Sequence, residues 1–261
     1  MRTFGLALIA LVPATSAFAQ EAPPEERPRT RTRIALGPQL QPAFPGADRM
    51  VVRPFVDIAR ARANEPLAFE AADESLGFPV LWAGGFEFGP AIGFEGARKT
   101  RDSKGLPSVG FSVEPGGFVQ YGFNAVRFRL ELRHGVTGHK SLIGVASADY
   151  IARDEDRWLF AIGPRVSFSG AKYQRAYFGV PAASSAASGL PAFDPDGGIH
   201  AVGVNAGYLR QLSPRWGVYG FVRYDRLVGD AARSPFVRRD GSRNQLNGGI
   251  ALSYTFGTLR E

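Results

Sequence analysis

Residues 126–133 read Val-Arg-Phe-Arg-Leu-Glu-Leu-Arg, an unbroken alternation of apolar and charged side chains. Successive side chains of an extended strand point to opposite faces. Val126, Phe128, Leu130 and Leu132 therefore share one face, and Arg127, Arg129, Glu131 and Arg133 the other. The same period recurs at 244–256, where Leu246, Ile250, Leu252, Tyr254 and Phe256 oppose Asn247, Gly249, Ala251, Ser253 and Thr255. At 158–168, Trp158, Phe160, Ile162, Val166 and Phe168 oppose Ala161, Gly163, Arg165 and Ser167; at 86–95, Phe86, Phe88, Ile92 and Phe94 oppose Glu87, Gly89, Gly93 and Glu95. Beyond the N-terminal segment no apolar run approaches the ~18 residues of a spanning helix. The chain reads as all-β and antiparallel.

Alternation fits a soluble barrel with its apolar face inward, and equally a transmembrane barrel with that face on lipid. Three features favour the membrane form. Aromatics fall near strand ends (Trp158 and Phe168, Trp216 and Tyr224, Tyr254 and Phe256), as interfacial girdles require. Strands read at 32–41, 50–60, 66–73, 77–83, 86–98, 108–121, 125–134, 141–152, 158–169, 198–212, 215–228 and 244–256 leave short turns at 61–65, 84–85, 122–124, 153–157 and 213–215. The longer connections, 42–49, 99–107, 135–140, 170–197 and 229–243, all fall on the opposite rim. Finally, the last alternating strand ends on the aromatic Phe256. The expectation is an up-and-down barrel of about twelve strands with both termini periplasmic. Pro79 weakens the strand at 77–83, and without residues 66–83 about ten strands remain.

The chain has 261 residues, 44% hydrophobic, with 32 Gly, 20 Phe, 8 Tyr and 3 Trp, a composition that excludes a disordered chain and suits strands and turns. With no cysteine, a thiol nucleophile, an Fe–S cluster, a Cys-ligated zinc and a disulfide framework are all excluded. Arg2, the apolar run Phe4–Val12 and Ala17-Phe18-Ala19 form a signal-peptide pattern with cleavage between Ala19 and Gln20. The expected organisation is a signal at 1–19, a Pro/Arg-rich periplasmic leader at 20–31, the barrel at 32–256 and a tail at 257–261. The leader holds Pro23, Pro24 and Pro28 and belongs to the basic cluster Arg27, Arg29, Arg31 and Arg33. The net charge of +7 is carried mostly by arginines spread along the chain, which does not make a nucleic-acid footprint in an exported protein. The chain is expected in the outer membrane of a Gram-negative bacterium, embedded in outer-membrane lipid.

Candidates for chemistry are few. His134 ends a strand; His139 lies within reach of Ser141, with Asp149 or Asp225 as conceivable orienting groups, but nothing in the sequence brings the orienter close. His200 alternates with Val202 and Val204 and is read as facing outward. Asp194-Pro195-Asp196-Gly197 offers too few ligands for calcium, and no Gly-rich loop leads into a helix to hold a nucleotide, so no cofactor and no metal is expected. Glu87, Glu95, Arg127, Arg129, Glu131, Arg133, Arg165, Arg223 and Asp225 fall on the lumen face. They make either a paired ladder that fills the barrel or a narrow pore whose excess arginine favours small anions.

Several motifs in order resemble those of the MipA/OmpV family across about residues 33–256. They are Gly37-Pro38 with Phe44-Pro45-Gly46-Ala47-Asp48, Arg53-Pro54-Phe55, Gly89-Pro90-Ala91-Ile92-Gly93-Phe94 with Arg98-Lys99, Gly138-His139, Tyr177-Phe178-Gly179-Val180, and Gly229-Asp230 with Ser234-Pro235. Phe44 and Ala47 replace the family's usual Tyr and Ser, and Lys140-Ser141 the Asp-Gly that often follows the His. The resemblance implies an outer-membrane β-barrel without catalytic residues. It also implies a scaffold that joins a lytic transglycosylase to a bifunctional murein synthase. The expected function is thus a non-enzymatic envelope scaffold, with a narrow channel for small, anionic solutes as the alternative.

Overall fold

The computed structural model describes residues 30–62, 65–103 and 105–257; the expected signal peptide, its cleavage site, most of the leader and most of the tail lie outside them. The strands are β1 (Thr30–Pro42), β2 (Met50–Arg62), β3 (Leu76–Gly77), β4 (Leu81–Ala83), β5 (Phe86–Glu95), β6 (Ser112–Phe123), β7 (Val126–His134), β8 (Leu142–Asp154), β9 (Trp158–Ser169), β10 (Gly198–Gln211), β11 (Trp216–Leu227) and β12 (Asn244–Gly257). Short helices α1 (Ala171–Phe178), α2 (Ala182–Ser188), α3 (Gly229–Arg233) and α4 (Pro235–Arg239) lie in two of the connections.

Twelve strands make one antiparallel sheet in which chain neighbours pair from β5 to β12 and β1 pairs β2; β3 and β4 both pair β5, and β1 pairs β12 with Thr32 opposite Phe256. The sheet curls with its apolar side out: Ile250 is 63% exposed and its inward neighbour Ala251 4%. Leu130 and Leu132 on β7, Ile162 on β9 and Val222 on β11 share that outer belt. Rings cluster near the rims, with Trp216 against Tyr254 and Tyr254 against Phe256 at one and Phe94 stacked on Phe111 at the other.

The rims differ as the turn chemistry dictates. Gly84 and Gly85 both take positive φ, the mirror-image two-residue turn that suits the twist of a hairpin. Asn124 supplies the left-handed residue of the 124–125 turn. These tight turns share one rim with 155–157 and 212–215, while 43–49, 96–111, 135–141, 170–197 and 228–243 lie on the other.

Four expectations need correction. Residues 66–73 are not a strand, and the β2-to-β3 connection is no short turn: 65–75 is irregular chain that folds inward. An alternating stretch with Asp73 on one face and Glu70 and Glu74 on the other has no side fit for lipid. The strand at 77–83 survives only as β3 and β4, because Pro79 interrupts pairing with β5. Among the described residues no ladder joins β2 to β3 or β4, so the barrel wall has one open seam there. Finally, Arg31 and Arg33 belong to β1 rather than to a solvated leader; their i, i+2 spacing aims both inward, where they are buried.

Candidate functional site

The interior is built by odd-numbered residues of β7 and β9, whose alternation turns their charges away from the outer belt. The structure places Arg127, Arg129, Glu131 and Arg165 buried on the inner face; Arg133, Arg223, Asp225, Glu95 and Glu87 share that face with partial exposure. Glu87 accepts a hydrogen bond from Gln120 near the tight-turn rim, apart from the central cluster.

The cluster is knitted by the inward-folded segment 65–75. Asp73 accepts from Arg165 Nε at 2.7 Å and from Arg223 Nη1 at 2.9 Å. Glu74 pairs with Arg127, and Asp149 on β8 bridges Arg127 at 3.0 Å and Arg165 at 2.8 Å. Arg129 pairs with Glu131 at 2.8 Å and lies over the Phe118 ring, while Arg133 bridges Glu131 and Glu114. Arg223 is also held by Asp225 at 2.6 Å.

On its other side the segment meets an apolar wall. Phe69 and Ala72 pack on the group that includes Phe55, Tyr219 and Phe221. At the tight-turn rim, Leu67 N–H donates to Asp156 and Arg153 donates to Leu67 O. The segment is thus a plug: Asp73 and Glu74 meet arginines of β7, β9 and β11, while Phe69 and Ala72 meet the apolar side chains of β2 and β11. Alternation could not reveal the plug, and with it went Asp73, Glu74 and Glu70. Asp57, which pairs with Arg33 on β1, and Glu114 lie on inner faces of strands whose alternation is less regular.

The plug also changes the charge balance. Glu70, Asp73, Glu74, Asp57, Glu114 and Asp149 join Glu95, Glu131 and Asp225 around the inward arginines, among them Arg31, Arg33, Arg127, Arg129, Arg133, Arg165 and Arg223. The lumen arginines are thus met by acids of the plug and of neighbouring strands that alternation did not single out.

The long connections close the opposite mouth as a lid with its own apolar core: Phe44, Leu106, Tyr173, Tyr177, Phe178, Phe236 and Val237 are all buried together. Arg98 lies beneath them without a carboxylate, donating to the carbonyls of Tyr177 and Pro107. Burial, partly offset by Tyr177, brings its pKa down to about 10, so it stays charged at neutral pH. Ser234 Oγ donates to Phe178 O at 2.6 Å and ties α4 to α1. Between lid and plug remains a cavity of about 210 Å³, lined by Asp73, Glu95, Arg133, Tyr173, His200 and Arg223 among others.

Neither buried histidine sits in a nucleophile–base arrangement with an orienting acid. His139 Nδ1 accepts from the Ser141 backbone N–H at 3.2 Å, which leaves Nε2 to donate to Glu114 at 2.8 Å; the ring is fully buried. The Ser141 hydroxyl is not its partner, and Asp149 and Asp225 serve arginines instead. His200 faces inward, not outward as alternation implied. A register shift between Ile199 and Ala201 changes the phase, turning Ile199 out and His200 in, where Nδ1 lies 3.1 Å from Ser169 Oγ. Asp194 pairs with Arg175, and the Asp196 backbone N–H donates to Asp230, so the Asp-Pro-Asp-Gly turn is held by loop contacts.

Among the described residues no helix is long and apolar enough to cross a membrane. A curled antiparallel sheet, apolar outside and salt-bridged within, with tight turns on one rim and long loops on the other, is the build of a transmembrane β-barrel. The chain belongs to the family described as MltA-interacting protein MipA, which it matches over residues 34–256. No curated protein is significantly similar in sequence. Among solved structures it is similar to OmpT of Vibrio cholerae, an outer membrane protein folded in vitro, at 9% identity over 89% of this chain and 99% of that one. The TM-score of 0.34 is too low to define a shared architecture.

Proposed function

We propose that the chain is a non-enzymatic outer-membrane barrel, tight turns facing the periplasm, that acts as a scaffold for murein-synthesising and murein-degrading enzymes. The observation that carries this reading is the filled interior. A barrel blocked by its own plug and covered by its own lid offers surfaces rather than a conduit. The family's description as an MltA-interacting protein supports the choice of partner, a lytic transglycosylase, with a bifunctional murein synthase as the second. Burial of both ring nitrogens of His139 in structural hydrogen bonds speaks against an envelope hydrolase.

A photocrosslinking residue at Pro214 or Asn124, on the tight-turn rim, is expected to trap the transglycosylase in envelope preparations; one at Asp194, on the long-loop rim, is not. Equal yields from both rims, or none from either, would remove the scaffold reading. The second reading, a narrow channel, draws on the cavity between lid and plug and requires the plug to move.

A further inference from the structure

We propose that Arg226, Arg238 and Arg243 form a binding pocket for the phosphoryl headgroup of a lipid lying against the barrel wall. The proposal rests on the membrane orientation given above, which puts the long-loop rim at the outer leaflet.

The three arginines line one pocket of about 350 Å³ together with Val237, Gly241, Ser242 and Asn244, and no carboxylate is among the lining residues. That sets them apart from their neighbours. Arg233 on α3 is turned to Asp230, and Arg239 on α4 donates to Asp240 and to the carbonyls of Ser188 and Gly189. Most of the buried arginines of the lumen are matched by carboxylates in the same way. Here three cations share one pocket with no carboxylate on its lining.

The pocket is also firmly built. Arg226 and Tyr224 both donate to Asn244 Oδ1, at 3.0 and 2.8 Å, across the β11–β12 ladder. Leu227 N–H donates to Arg243 O and fixes the chain entering β12. Arg238 is carried by α4, whose Phe236 and Val237 are sunk in the lid core.

Position decides the class of ligand. Arg226 is the last of the outward row of β11, directly beyond Tyr224 and Val222, which are exposed in the apolar belt; Leu246 and Ile250 continue that belt on β12. A cationic pocket at the upper edge of a lipid-facing wall meets headgroups, not acyl chains. Guanidinium forks match phosphoryl oxygens and hold them with charge-assisted hydrogen bonds. A phosphate-bearing glycolipid whose chains lie along Val222, Leu246 and Ile250 satisfies both halves of the site.

The full chain, refolded into phosphatidylcholine vesicles doped with bisphosphorylated lipid A or with the same glycolipid stripped of phosphate, tests this. Glycolipid retained after detergent extraction is read by native mass spectrometry for the wild type and for Arg226→Gln/Arg238→Gln/Arg243→Gln. The wild type is expected to retain the phosphorylated form at least about tenfold better than the stripped form, and better than the variant by a similar factor. Equal retention by wild type and variant, with both heat-modifiable and inserted, would overturn the site. Complete displacement by inorganic phosphate would overturn the lipid assignment in favour of a free-anion site. Failure of the wild type to insert into either vesicle would remove the membrane reading as well, and is seen separately by flotation.

Discussion

Arg165 stands where wall and plug meet: fully buried on β9, it holds Asp73 of the plug and Asp149 of β8 at once. Removing one member of a buried ion-paired cluster leaves its partners uncompensated, at a cost of ~3–5 kcal/mol. Arg165→Met is therefore expected to lower the unfolding free energy of the refolded barrel, read from urea titration, by that margin. Arg157→Met, which breaks an exposed pair with Asp154 at the 155–157 turn, should cost less than ~1 kcal/mol. Similar losses from the two would contradict the account of the lumen. At this scale the charges of β7 and β9 were legible because a strict two-residue period leaves no freedom about which side a residue takes. His200 was not legible, since one extra residue between paired positions reverses the phase and leaves no mark in composition.

The segment between β2 and β5 is where pattern and structure part. Leu67, Phe69 and Ala71 alternate as a strand would, yet the opposite positions Ala68, Glu70, Ala72 and Glu74 cannot face acyl chains. The chain resolves the conflict by turning inward, where Asp73 and Glu74 find arginines and Phe69 finds an apolar wall. Because the protein has no cysteine, a single thiol at position 72 reports on the plug. Ala72→Cys is expected to resist a water-soluble thiol reagent in the wild-type background. With Asp73→Ala and Glu74→Ala added it should label at the rate of a cysteine at exposed Glu65. Rapid labelling without those two changes would show that the plug does not occupy the lumen. The lid is a second such element. Phe236, buried and stacked on Phe44, joins α4 to the 43–49 loop, and Phe236→Ala should cost ~3–5 kcal/mol of local packing. It is expected to expose 228–243 to proteolysis while leaving the sheet intact.

For the molecule as a whole, a wall with apolar residues outside and charges inside needs lipid around it and partners within it. The strands supply the first condition, and their existence, order and facing were legible from alternation at 86–95, 126–133, 158–168 and 244–256. The second condition is met by contacts between residues far apart in sequence, such as Asp73 with Arg223 and Arg98 with the Tyr177 carbonyl. No local pattern encodes those. The seam between β2 and the broken pair β3–β4 belongs with them, since it follows from the same inward turn that makes the plug.

The central claim is that this barrel is closed by its own chain, and planar-bilayer recording of the refolded protein tests it most directly. The wild type is expected to insert and pass no steady current, whereas a variant lacking residues 66–74 should conduct. Steady conductance by the intact protein, unchanged when those residues are removed, would contradict the account and make it a channel.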